Sequence, residues 1–273
     1  VFEEFRPEIV FHLAAQPIVR TSYREPVRTY ETNVLGTVNV LECVRLVPGV
    51  KTVVNVTTDK VYENFEVLRP YTEEDRLDGY DPYSNSKSCS ELVTHSYQRS
   101  FLSSLGIAVS TARAGNVIGG GDYAPDRIVP DAVRAAKAGV PLRVRNPYST
   151  RPYQHVFEPL GAYLMLAEET YKHPEKAGAY NIGPDPKNEL QTGTMADLFQ
   201  EAWGEGFVWE STFDGGPHEA GLLKLDSSKI ESVFGWKPRL TAAEAVQLVV
   251  AFEKAADQKT ELETQIRSYF GEE

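Results

Sequence analysis

The sequence predicts an α/β protein: a doubly wound parallel sheet with a smaller, mixed α/β lobe. Three observations predict it. Short β-branched runs alternate with long helical patterns through the first 114 residues, and polar clusters follow directly where those runs end. After Ala114 the alternation loosens into glycine- and arginine-rich segments. At 273 residues the chain can bury a full core, as one large domain or two smaller ones.

"VFEEFRPEIVFHLAAQ" reads as the end of a helix, a turn at Arg6-Pro7 and a buried strand from Glu8 to Ala15. A long helix is expected from Glu25 to Val47, with Val34, Val38, Leu41 and Val44 near helical spacing and Pro48-Gly49 as its stop. Thr52 to Val56 is a strand. Asp81 then caps a helix with Pro82 in its first position, which runs to Leu105 and stops at Gly106. Ile107 to Ala112 is the next strand. "GNVIGGGDYAPDRIVPD" is a glycine-rich loop leading into a helix from about Arg127 to Ala138. A helix near Leu160 to Tyr171, a strand in "AYNIG" and a C-terminal helix from about Thr241 complete the pattern.

The balance of 28 Lys+Arg against 39 Asp+Glu gives a net charge of −11. Such a chain has no general attraction for nucleic acid or an anionic membrane, so any anion it binds needs local cations. No apolar run approaches the roughly 18–20 residues that span a bilayer, and no signal-peptide pattern opens the chain. Cys43 and Cys89 both fall in helical patterns and read as packed thiols of a reducing compartment. The five histidines show no ligand spacing, so no metal site is expected. These features predict a cytoplasmic protein.

"NVTTDKVYENF" sets Thr57, Thr58, Asp59 and Lys60 directly after the run Val53–Val56. In open α/β sheets ligands bind beyond the carboxyl ends of the strands, and this cluster lies at such an end, as does Gly115–Gly121. In "DPYSNSKSCSEL", Tyr83 and Lys87 are four apart near a helix start and share a face. A phenol is a poor base at neutral pH, but an adjacent ammonium stabilises its phenolate. A solvated tyrosine beside a lysine has the same spacing; Thr58-Asp59 at the preceding strand end is what favours chemistry.

His12-Leu13-Ala14-Ala15, Asn33-Val34-Leu35-Gly36-Thr37, Thr57-Thr58, Tyr83 with Lys87, and Arg113-Ala114-Gly115-Asn116 together resemble the extended short-chain dehydrogenase/reductases. "TTDKVYEN", "GYDPYSNSKSCSELV", "RAGNVIGGGDYAPDRIVPD", "RNPYSTRPYQHVFEPL" and "GPHEAGLLKLDSSK" are similar to the nucleotide-sugar 4,6-dehydratases within it, and the likeness covers nearly the whole chain. The resemblance implies a Rossmann-like domain from residues 1–114 and about 155–183, and a substrate lobe from 115–154 and about 184–273. The family's Gly-rich fingerprint has no match here, so roughly 60–80 residues carrying the N-terminal strands are expected to be missing.

The implied activity is removal of water across C5 and C6 of CDP-glucose, with NAD as cofactor for transient oxidation at C4 and reduction at C6. Tyr83 would take the C4 hydroxyl proton, supported by Lys87, while Thr58 holds the C4 oxygen. Asp59 would protonate the departing C6 hydroxyl, which requires burial to raise its pKa. Lys60 stands where related dTDP-glucose dehydratases have Glu. It would take the C5 proton as a neutral amine, which needs desolvation or a neighbouring cation, or else act as an ammonium that stabilises the enolate or orients Asp59. Ala14, Ala15, Gln16, Asn33 and Thr57, with Tyr83 and Lys87, would hold the cofactor. Asn116, Arg127 and Arg151 would meet the diphosphate and His218, with Glu219, the nucleotide, while Gly119–Gly121 lets backbone approach the substrate. A homodimer through the helices of Asn33 and Tyr83 is implied, with Val34, Val38, Leu41, Leu92 and Val93 at that interface or on the sheet. An epimerase, a dehydratase for another base and a truncated, inactive fragment are the other readings. Asp59 and Lys60 speak against the epimerase, because inversion at C4 needs no acid at C6.

Overall fold

Among the described residues, four strands form one parallel sheet: β1 (Ile9–His12), β2 (Thr52–Val56), β3 (Ala108–Ala114) and β4 (Ala179–Ile182), side by side in that order. Ile9 pairs with Thr52, Thr52 with Ala108, and Thr111 with Ala179. β2 and β3 are buried along nearly their whole length, which is why they read as continuous small and β-branched runs rather than alternating ones. Val53 shares a core with Leu41, Val44, Leu102 and Val109. Thr52 points the other way, its hydroxyl 2.7 Å from that of Thr170 on the helix Phe157–Lys172. Helices therefore cover both faces of the sheet.

The computed structural model describes residues 1–212 and 221–271, in two units. The first holds the sheet and comprises Val1–Gly115, Gly161–Ile182 and Lys224–Lys237; the second comprises Asn116–Leu160, Gly183–Leu223 and Pro238–Glu273. No helix among the described residues is long and apolar enough to cross a membrane.

Four expected elements differ. β1 ends at His12, so Leu13 and Ala14 leave the sheet exposed. The helix expected from Glu25 is already helical over Val19–Arg24, breaks at Glu25 and restarts at Pro26. A residue before proline is pushed out of helical geometry, and Glu25 sits at φ −128°, ψ 59°. The same helix widens into a π turn at Glu31–Leu35 before Gly36–Leu46. The helix from Pro82 is α-helical to Tyr97, then passes through a π turn (Gln98–Leu102) and a 3₁₀ turn to the left-handed Gly106. At the C-terminus there are two helices, Ala242–Lys254 and Gln258–Phe270. Asp257 caps the second by accepting from the amides of Lys259 and Thr260.

The second unit packs Val129, Val133, Met195, Phe199, Val246 and Val249 into its own core. Two glycines of the Gly119–Gly121 run are packed closely against protein side chains. A Cβ on Gly120 would lie 2.3 Å from the Phe252 ring, and one on Gly119 2.9 Å from Val156.

Candidate active site

Thr58 leaves β2 extended and caps a single 3₁₀ turn, Asp59–Val61. Its hydroxyl donates to Asp59 Oδ1 at 3.0 Å, and Lys60 Nζ donates to the same oxygen at 2.9 Å. Asp59 is fully buried, and its Oδ2 has no hydrogen-bond partner among the described residues. Lys60 keeps 28 % of its side chain exposed. The turn thus presents one bare, buried carboxylate oxygen beside a partly exposed amine.

Tyr83 and Lys87 are placed by the Asp81 cap, whose Oδ1 accepts from the Tyr83 and Ser84 amides at 3.0 Å each. Both side chains are buried, Tyr83 to 8 % and Lys87 to 6 % exposure. Lys87 Nζ donates to the Val56 carbonyl, the last of β2, at 3.0 Å. Burial pushes the Lys87 ammonium down to about 8, and the Glu91 charge opposes that shift.

Beneath this floor lies a buried network that sequence reasoning left out. Glu91, one turn beyond Lys87, accepts from Thr57 Oγ1 (2.5 Å), Thr111 Oγ1 (2.7 Å) and the Arg113 guanidinium (2.9 Å). Burial pushes the carboxyl of Glu91 up, but the Arg113 bonds and charge outweigh it and hold the group below its ordinary range. The spacing Tyr83, Lys87, Glu91 on one helical face was a signal available in the sequence.

After β1, Asn33 clasps the backbone of Gln16: Oδ1 accepts from its amide at 2.8 Å and Nδ2 donates to its carbonyl at 3.1 Å. Ser86, one turn before Ser90 on the Tyr83 helix, accepts the other Nδ2 proton at 2.9 Å. Ala14 is exposed and Ala15 half-buried on that loop. The Thr57 hydroxyl turns inward onto Glu91.

In the second unit the expected anion ligands sit on three separate segments. Asn116 is half-buried, and its carbonyl accepts from the Gln154 amide at 3.0 Å. Arg127 precedes the helix Ile128–Ala138 and lies 3.6 Å from Asp122. Arg151 is 8 % exposed on the strand Thr150–Pro152, and its guanidinium reaches only the Thr150 carbonyl among the described residues. His218 and Glu219 lie outside the described residues.

Fold and site together define the class: a parallel Rossmann-like sheet whose strand ends carry buried acid–base groups beside a Tyr–Lys pair. The family model described as GDP-mannose 4,6 dehydratase matches residues 1–249. The chain is 45% identical to CDP-glucose 4,6-dehydratase of Salmonella typhimurium, over 92% of this chain and 72% of the relative. It is 31% identical to dTDP-glucose 4,6-dehydratase of Streptomyces antibioticus, over 87% of this chain and 67% of the relative. The crystal structure of Thermus thermophilus UDP-glucose 4-epimerase in complex with NAD superposes with a TM-score of 0.81 at 25% identity, covering 94% of this chain and 80% of that one. The chain belongs to the nucleotide-sugar 4,6-dehydratase family of extended short-chain dehydrogenase/reductases.

Proposed function

We propose that this chain dehydrates CDP-glucose to CDP-4-keto-6-deoxyglucose with NAD as its cofactor. The contact between Asp59 and Lys60 carries the reading. Elimination across C5 and C6 needs an acid at the C6 hydroxyl and a base at C5 together. One proton shared across 2.9 Å supplies both. On Lys60 it makes an ion pair; moved to Asp59 it leaves a neutral acid and a free amine. The proton of that neutral acid lies on Asp59 Oδ2, the oxygen left for the C6 hydroxyl, because Thr58 and Lys60 both occupy Oδ1. Tyr83 as phenolate accepts the C4 hydroxyl proton, and the ammonium of Lys87, braced on Val56, stabilises that phenolate. Thr58 lies at the same strand end and steadies the C4 oxygen.

A nicotinamide dinucleotide fits the residues present. Ala14 and Ala15 offer backbone with only methyl side chains, Gln16 and Asn33 fix their loop, and Lys87 spends one of its three ammonium donors on Val56. These groups hold the cofactor with Tyr83 and the backbone of Thr57; when bound it supplies the reversible oxidation at C4. Arg151 supports the diphosphate assignment, because a buried guanidinium lacking a carboxylate among the described residues calls for an anion. Asn116 and Arg127 are the companion ligands, with His218 at the nucleotide.

The reading includes a cytoplasmic homodimer formed through the helices of Asn33 and Tyr83. Val27, Leu35 and Leu92 are exposed there although apolar, and Pro26, Tyr30, Val34 and Cys89 line a hollow beside them. Leu41 and Val93 belong to the sheet core instead.

The test is incubation of this chain with NAD+ and CDP-glucose, with dTDP-glucose and UDP-glucose as competitors. The expected product is the CDP-linked 4-keto-6-deoxy sugar, carrying solvent deuterium at C5 when made in D2O. Preference for another nucleotide, a C4 epimer, or no product from a chain that binds both ligands overturns the reading.

A further inference from the structure

Thr58, Asp59 and Lys60 are strung between two anchors, and both anchors lead to one buried ion pair. Before the turn, Thr57 donates its hydroxyl to Glu91 Oε1 at 2.5 Å. After it, the Tyr62 hydroxyl accepts from Arg113 Nη1 at 3.0 Å and donates to Asn181 Oδ1 at 2.6 Å. Glu91 and Arg113 join through two parallel bonds of 2.9 Å, Nε to Oε1 and Nη2 to Oε2. Thr111 donates to the remaining side of Oε2 at 2.7 Å. The two residues are 0 % and 1 % exposed.

We infer that Glu91 and Arg113 are positioning residues, which set Thr58-Asp59-Lys60 against Tyr83 and Lys87 by pinning both flanks of the turn and fixing a negative charge below Lys87. The inference rests on the function proposed above. A buried ion pair is often no more stabilising than apolar side chains of the same volume. Direction is what it adds here. A carboxylate held by four donors cannot rotate, so the strand end and the helix that carry the reacting groups share one fixed reference. Serial order reinforces this: Glu91 follows Lys87 by four residues and Tyr83 by eight on the same helical face.

The groups around Lys87 are known from each packed element. Tyr83 and Glu91 lie on its own helix, with His95 3.6 Å beyond the Glu91 carboxylate. His12 of β1 is held below its ordinary range first by burial and then by the Lys87 charge. Arg113 comes from β3, and the turn with Asp59 and Lys60 packs on the same helix. Tyr163, on the helix Phe157–Lys172, is near Tyr83. Glu91 is the neighbour that favours the Lys87 ammonium.

The test combines steady-state kinetics with NMR titration of Lys87 in the chain without cofactor. In Glu91→Gln, Lys87 is expected to ionise at lower pH than in the native chain. The same variant should lose about 30-fold in kcat while KM changes by less than about twofold. Tyr62→Phe cuts one anchor and keeps the ion pair, so kcat should fall about fivefold with the Lys87 titration unmoved. Thr111→Val removes a bond to the same carboxylate but touches neither flank, and should stay within about twofold of native. A folded Glu91→Gln chain with native Lys87 titration overturns the inference. So do equal losses in Tyr62→Phe and Thr111→Val at equal folded fraction, a contrast that stands if Glu91→Gln does not fold. Absence of dehydration by the native chain overturns the proposed function instead, and leaves the Lys87 titration as the test of Glu91.

Discussion

Lys60 and Lys87 both stand at the end of β2, yet the protein holds them in opposite ways. Lys60 stands on a 3₁₀ turn, partly exposed, with its amine on a buried carboxylate. Lys87 stands on a helix, buried, with its amine on a neutral carbonyl. In the function proposed above, the first arrangement lets a proton move between neighbours. The second holds a charge near its limit by dehydration, opposed by Glu91. One strand end can hold two lysines in different surroundings when a turn delivers one and a helix the other.

The contrast is sharpened most by removing Tyr83, the group that Lys87 is proposed to support. Tyr83→Phe should lower kcat about 10³-fold while the chain still binds NAD+, because in the proposed mechanism it removes the oxygen that accepts the C4 proton. A loss below tenfold would assign the C4 proton to another group. Lys60→Met should cost about 10²-fold and abolish C5 hydrogen exchange with solvent, since Asp59 loses the partner that shares its proton. Exchange at the native rate would break the shared-proton account and leave Lys60 as an orienting group.

The smallest effect concerns stability, and its sign is opposite. The folded Lys87 releases its proton near pH 8, whereas the unfolded residue keeps it to about 10.5. Between those values the unfolded chain binds more protons, so stability rises with pH across the window, and the cost of the buried ammonium is complete below it. That cost is roughly 3 kcal/mol, partly offset in Lys87→Met by about 1 kcal/mol for the Val56 carbonyl left bare. Lys87→Met should therefore be about 2 kcal/mol more stable than the native chain at pH 7, with the gain gone above about pH 10.5. Denaturant titrations at pH 7 and pH 10.5 check this; an equal or less stable variant at pH 7 would mean the ammonium is compensated in place.

Much of this was legible because local chemistry and tertiary role agree. Val53, Val54 and Val56 read as a central strand, and Asp81-Pro82 read as a helix start because cap and proline act locally. Asp257 was an equally local cap signal, and it divides what read as one C-terminal helix. The π turn at Glu31–Leu35 was hidden, since no residue type marks a bond pattern one residue wider. Glu91 could be placed on the Tyr83 face from spacing alone, but its partners Thr57, Thr111 and Arg113 come from β2 and β3 and meet it only when the sheet forms. The packing of Gly120 was hidden for the same reason: its neighbour Phe252 is 132 residues away in chain order.

The π turn at Glu31–Leu35 has a consequence for the aim of side chains. Thr29, Asn33, Thr37 and Leu41 are all buried at steps of four. On a regular helix each such step drifts by about 40°, enough over three steps to swing the last side chain onto another face. A wider turn drifts the other way and brings the row back into line. It also holds one residue more than a regular turn requires. The helix could lose a residue there and its flanks would keep their direction, but the amide of Asn33 that clasps Gln16 would be lost or misplaced. The wide turn acts as a phase correction in the helix, retained with the side chain it carries.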